Sequence, residues 1–129
     1  MRRMMIALAS LIAFGLAVTG AARAEDLPTG DAARGAKVYE QRCGACHSLE
    51  ANRAGPRHHG VYGRKAGSIA DFPYSPAVKS AQIVWSQDTL NAWLTDPQKL
   101  IPGQRMNFRL SDPQLRADVI AFLKKDSGK

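Results

Sequence analysis

The stretch RCGACHSLE at residues 42–50 holds both cysteines of the chain, Cys43 and Cys46, with His47 directly behind the second. A disulfide between thiols this close closes a very small ring and removes little entropy from the unfolded chain. Redox-active Cys-x-x-Cys pairs sit on a βα unit, and no alternating strand pattern is visible in the sequence. A zinc site asks for four ligands at suitable spacing, whereas Cys43, Cys46 and His47 supply three, two of them adjacent.

The remaining reading is Cys-x-x-Cys-His, the attachment motif for c-type haem. Each thiol adds to one vinyl group of the porphyrin, and His47 then lies under the iron as proximal ligand. The short spacing lets one turn straddle one edge of a flat ring. The fold must therefore be one that wraps such a ring.

The chain opens MRRMMIALASLIAFGLAVTGAARAEDLP. Arg2 and Arg3 form a basic start, residues 4–18 an apolar stretch, and Ala22-Arg23-Ala24 a small-x-small cleavage signal. This pattern predicts a secretory signal peptide over residues 1–24, cut after Ala24, leaving one domain at 25–129 in the periplasm. The cut removes Arg2, Arg3 and Arg23 and no acidic residue, lowering the formal charge from +7 to +4. That modest excess suits an acidic protein or a membrane surface better than nucleic acid, which asks for a concentrated basic stripe.

Three helices are expected. Residues 31–42 follow a capping Asp31, with Ala32, Gly35, Ala36 and Tyr39 on one side. A glycine inside a helix costs about 1 kcal/mol relative to alanine, so Gly35 points to a close approach by another helix. Residues 87–96 follow Ser86 as N-cap and put Leu90, Trp93 and Leu94 on one face. A last helix over 112–125 has Pro113 in its first turn and Ser111 with Gln114 as a capping box. Its stripe is Leu115, Val119, Phe122 and Leu123. Residues 48–76 are rich in Gly and Pro and read as loops. These helices fill less than half of the domain, which leaves room for a prosthetic group between the loops.

Of the four methionines, Met1, Met4 and Met5 fall in the leader, so Met106 alone remains. It sits in PQKLIPGQRMNF, a polar loop turned by Pro102-Gly103, a poor place for a core residue. A thioether there suits the His/Met ligation of electron-carrying cytochromes. His58 and His59 are the other candidate ligands; both are expected to be solvent-exposed, with His58 at most a pH-sensitive surface group.

In this order, GDAARGAKVYEQRCGACH, GPRHHGVYGRKAG, FPYSPA, IVWSQDTLNAWLTDPQKLIPGQRM and RADVIAFLKK resemble the class I c-type cytochromes, the branch of mitochondrial cytochrome c and its short bacterial periplasmic relatives. The resemblance spans about Gly30 to Lys125. It implies an all-α fold, with N- and C-terminal helices packed together and loops wrapping one haem c held through Cys43 and Cys46. By position, Gly35 and Tyr39 would pack against the C-terminal helix near Phe122. The carbonyl of Pro56 would accept a hydrogen bond from His47, and Arg64, Tyr74 and Trp85 would hold a buried propionate. Three positions depart from the mitochondrial pattern: Val78 stands for an asparagine, Trp93 for a tyrosine and Gln104 for a threonine. The polar network on the methionine side is therefore expected to differ.

The expected function is that of a monomeric one-electron carrier of the periplasm and respiratory chain, not an enzyme. Its partners would be redox proteins such as membrane oxidoreductase complexes, oxidases or periplasmic dehydrogenases, met at a basic rim of Arg42, Arg53, Lys99 and Arg105. The alternative is a haem peroxidase or gas-binding protein, which needs an open sixth position and a polar distal group. A third reading is a non-haem domain with a Cys43–Cys46 disulfide.

Overall fold

The computed structural model describes residues 26–129; the expected leader at 1–24 lies outside them. Among the described residues there are five helices, α1 (Ala32–Arg42), α2 (Pro76–Ser80), α3 (Gln87–Thr95), α4 (Pro97–Leu100) and α5 (Pro113–Asp126). No strand forms among the described residues; one isolated antiparallel bridge pairs Lys65 with Val84. No described helix is long and apolar enough to cross a membrane.

Helix α1 begins where expected. The Asp31 carboxylate accepts from the Arg34 amide at 2.7 Å, and Gly35, Val38 and Tyr39 are buried. Helix α5 begins one residue off the expectation. Asp112, not Ser111, is its N-cap and accepts from the amides of Gln114 at 2.8 Å and Leu115 at 3.2 Å. The cause is Pro113, which disfavours helical geometry in the residue before it and so makes Asp112 the extended capping residue. Gln114 turns instead to the Thr29 carbonyl and Asp118.

Helix α3 starts at the expected Ser86, which shares a capping box with Thr89. It stops at Thr95 because Pro97 holds Asp96 extended, and Asp96 then caps the short α4. Helices α2 and α4 were not expected; each opens with a Ser-Pro or Asp-Pro cap.

Helices α1 and α5 are packed backbone to backbone. A Cβ on Gly35 would lie 1.9 Å from the Asp118 carbonyl oxygen, and one on Gly30 2.1 Å from that of Ala117. Tyr39 meets Phe122 with ring centroids 5.2 Å apart. The crossing carries a polar clasp that the sequence reading lacked. The buried Asp118 carboxylate accepts from Arg34 Nε and Nη2, each at 2.8 Å, and from the Asp31 amide at 2.8 Å.

Arg34, foremost, and then the Asp31 amide and Gln114 hold the Asp118 carboxyl at about 2, against the opposing effect of burial. A depressed folded pKa means that this contribution is full above the ordinary carboxylate range and is lost as pH falls toward 2. Asp118→Asn is expected to cost about 2 kcal/mol at neutral pH and to flatten the acid limb of stability below about pH 4. Denaturant unfolding across pH checks this; an unchanged acid limb would assign it to another carboxylate.

The core joins α1, α3 and α5 to the loops through Val38, Val61, Trp85, Leu90, Leu94, Ile101, Leu110, Val119 and Ile120. Arg116 is buried and ties three segments together. Its Nε donates to Asn91 Oδ1 at 2.7 Å, and its Nη1 donates to the carbonyls of Leu110 at 2.9 Å and Ser111 at 2.7 Å.

Candidate functional site

The Cys-x-x-Cys-His segment leaves the end of α1 as a tight turn. Cys43 caps the helix through its amide to the Tyr39 carbonyl, and the amides of Cys46 and His47 both return to the Cys43 carbonyl, at 3.1 and 2.9 Å. Both cysteines are free thiols, Cys43 half-buried and Cys46 exposed. Burial, and then the neighbouring Cys46, push the Cys43 thiol up to about 11.

His47 is buried at 9 % exposure. Its Nδ1 lies 2.8 Å from the Pro56 carbonyl oxygen. A carbonyl can only accept, so Nδ1 carries the proton and Nε2 keeps its lone pair. Burial lowers the pKa of the ring, only partly opposed by the Pro56 bond, and so favours the neutral form that can bind a metal. Gly55 lies against the ring: a Cβ there would come within 2.1 Å of His47 Cε1. The hydrogen bond between Nδ1 and the Pro56 carbonyl that the resemblance implies is present.

The expectation for His58 is corrected. Its ring is half-buried, stacked on His47 with centroids 3.9 Å apart and planes inclined by 20°, and its Nδ1 lies 3.1 Å from the Tyr39 hydroxyl. The segment 55–59 runs back along 46–49, through Gly55 amide to Cys46 carbonyl at 2.8 Å and His58 amide to Ser48 carbonyl at 2.9 Å. That return places His58 beside His47, and nothing in a Gly- and Pro-rich stretch announces it. His58 thus lies on the face of the His47 ring and not opposite it. His59 is exposed, as expected, and is held outward by Asp126 at 3.1 Å.

Met106 is half-buried on a loop fixed at both ends. Ile101 and Leu110 are each 5 % exposed, the Leu110 amide donates to the Leu94 carbonyl at 2.8 Å, and Arg109 pairs with Asp96 at 3.0 Å. Pro102-Gly103 makes the expected turn: Gly103 has φ of 89°, and the Gln104 amide donates to the Ile101 carbonyl at 3.2 Å. Gln104 Oε1 accepts from the Met106 amide, so this departure from the mitochondrial pattern acts on the backbone at the methionine itself. Met106 lines an open cleft of about 490 Å³ with Asp96, Pro97, Gln98 and Phe108, and this cleft is not lined by Cys43, Cys46 or His47.

Of the three residues expected at a propionate, Arg64 donates from Nη1 to the His59 carbonyl at 3.0 Å and from Nη2 to the Arg57 carbonyl at 2.9 Å. Tyr74 accepts from the Ile69 amide at 3.3 Å, which leaves its own O–H to donate. Trp85 is buried and tilted against Trp93 at 5.3 Å.

This donor set fits a c-type haem: two free thiols on one turn and a neutral imidazole with a fixed tautomer and an unused Nε2. The comparisons with known proteins agree. Residues 32–127 match the family model for cytochrome c. The chain is 43% identical over 107 residues to cytochrome c 2.1 of Caenorhabditis elegans, covering 81% of this chain and 96% of the relative. It is 44% identical over 102 residues to cytochrome c of Arabidopsis thaliana, covering 76% and 91%. Among solved structures, cytochrome cH from Methylobacterium extorquens is similar with a TM-score of 0.70 and 46% identity, covering 74% of this chain and 99% of that one. The chain thus belongs to the cytochrome c family, as a class I c-type cytochrome that takes one covalent haem c at its two cysteines, Cys43 and Cys46, and carries electrons with it.

Proposed function

We propose that this protein is a monomeric periplasmic one-electron carrier with His47 and Met106 as axial ligands, made with a signal peptide over residues 1–24 and active as residues 25–129. The observation that carries the reading is the buried His47, whose Nδ1–H is committed to Pro56 and whose Nε2 is left to bind. When bound, the haem supplies a centre that passes between Fe(II) and Fe(III) by one electron.

The chain's own residues set the terms of that exchange. Pro56 fixes the tautomer of the His47 ring and Gly55 lies against its edge, which would limit the rearrangement that accompanies a change of charge at the iron. The soft thioether of Met106 favours the ferrous state. Met106 is the one methionine outside the first 24 residues; His58 is stacked against His47 and His59 is turned outward by Asp126. Arg64, Tyr74 and Trp85 offer donors to a buried propionate, and the Arg64 cation offsets part of the cost of burying that carboxylate.

Arg42, Arg53, Lys99 and Arg105 are all exposed, and Arg53 Nη1 is anchored on the Gly44 carbonyl at 2.7 Å, across the motif turn. These cations form a rim that steers acidic redox proteins of the respiratory chain: membrane oxidoreductase complexes, oxidases or periplasmic dehydrogenases. Steering of this kind governs encounter rate more than affinity. Reaction with an acidic partner is therefore expected to slow as salt rises, because exposed charges are screened over about 8 Å at physiological ionic strength. Stopped-flow rates across a salt series test this. Charge reversal at Arg42 or Lys99 should lower the association rate and leave the midpoint potential in place; a rate flat in salt contradicts the rim.

A further inference from the structure

The Pro56 bond fixes the tautomer of His47, but a single hydrogen bond leaves an imidazole free to rock about the Nδ1···O axis. Gly55 touches the ring at Cε1. The remaining restraint is His58, stacked over the ring at 3.9 Å and nearly parallel to it. His58 is itself not free to turn, because its Nδ1 is bonded to the Tyr39 hydroxyl at 3.1 Å. Tyr39 in turn is buried in the α1–α5 crossing against Phe122. A continuous set of contacts thus runs from the helix crossing, through Tyr39 and His58, to the face of the proximal imidazole.

The polar character of this pair calls for a reason. Burying a phenol and an imidazole costs free energy unless each satisfies the other, and an aliphatic side chain would fill the same space without that demand. An aliphatic chain offers no flat face and no directed bond to orient it. Histidine offers both.

Resting on the reading of His47 as axial ligand, we propose that His58 is a positioning residue for haem ligation, braced by Tyr39, and that its ring sets the plane of the His47 imidazole at the iron. The sequence places His58 only in a Gly- and Pro-rich loop, and Tyr39 only in a helix packing role; the juxtaposition comes from the return of residues 55–59 along 46–49.

The test uses the haem-loaded protein and three variants: His58→Leu, which removes the flat face; His58→Phe, which keeps a flat face without the bond; and Tyr39→Phe, which removes only the bond. The readouts are the g-values of the ferric protein and its paramagnetically shifted haem methyl resonances, both of which follow the plane of an axial imidazole, with thermal stability measured in parallel. His58→Leu is expected to shift the g-values and rearrange the methyl resonances. Tyr39→Phe should shift them the same way by less, and His58→Phe should return them toward wild type. If all three variants keep the wild-type g-values and methyl pattern while only stability changes, His58 is ordinary packing and the proposal falls. Since Tyr39→Phe deletes one hydroxyl from a helix that otherwise keeps its contacts, it gives an answer even where a His58 variant fails to fold. His47→Ala separates the two readings: if that variant keeps the wild-type g-values and methyl pattern, it is the ligand assignment that fails.

Discussion

Replacing Met106 by alanine is expected to lower the midpoint potential and to let the ferrous protein bind carbon monoxide, with the fold intact. Removing the soft ligand removes a preference for Fe(II), and since axial ligation tunes haem potentials over about 0.8 V, a drop on the order of 0.1 V is reasonable. The fold should survive because Met106 is not a core residue. Its loop is held by Ile101, Leu110 and the Arg109–Asp96 pair, none of which depends on the thioether. Helical content should therefore stay as in wild type. His59→Ala, at a ring turned outward to Asp126, is expected to leave potential and carbon monoxide binding as they were. Potentiometric titration and the ferrous carbon monoxide spectrum of both variants check the contrast. Equal behaviour of the two would remove Met106 from the iron.

The second large effect lies at the helix crossing. On an exposed helix, Gly→Ala is worth about 1 kcal/mol in favour of alanine. At Gly35 the sign should reverse. The added Cβ would sit 1.9 Å from a backbone oxygen of Asp118 and 2.8 Å from Phe122 Cβ, and neither atom can rotate away. The helices must separate, pulling Arg34 from Asp118 and Tyr39 from Phe122. A loss of about 3 kcal/mol is expected for Gly35→Ala, at the upper end for overpacking. Because α1 ends on Cys43, this change also shifts the platform on which the haem motif stands. Urea unfolding gives the midpoint and slope; a Gly35→Ala protein as stable as wild type would show that the close approach is absent in solution.

Much of this was legible because the decisive signals are local. The Cys43–His47 spacing names its cofactor, Ser86 and Asp31 cap the helices that follow them, and Gly35 marks a close approach by being a poor helix residue. The Pro56 role came through resemblance and matches a 2.8 Å bond. What stayed hidden depends on contacts between distant segments. Asp118 reads as a polar residue on a helix until Arg34, far away in sequence, is seen on it. Arg116 reads as a surface cation, yet it is buried against two loop carbonyls and Asn91. His58 needed the return of the loop beside residues 46–49. Helices α2 and α4 carry clear Ser-Pro and Asp-Pro starts but are too short to show a helical period. The α5 cap moved by one residue because the restriction that proline places on its predecessor outweighs a capping-box pattern.

The donor opposite His47 decides between an electron carrier and a haem protein with an open site. X-ray absorption at the iron edge of the haem-loaded protein reads the donor atoms directly. Sulfur ligation by Met106 predicts a sulfur scatterer beside the nitrogens in wild type, lost in Met106→Ala and retained in His59→Ala. A shell of nitrogen and oxygen alone in wild type, or a sulfur signal that survives Met106→Ala, would contradict it.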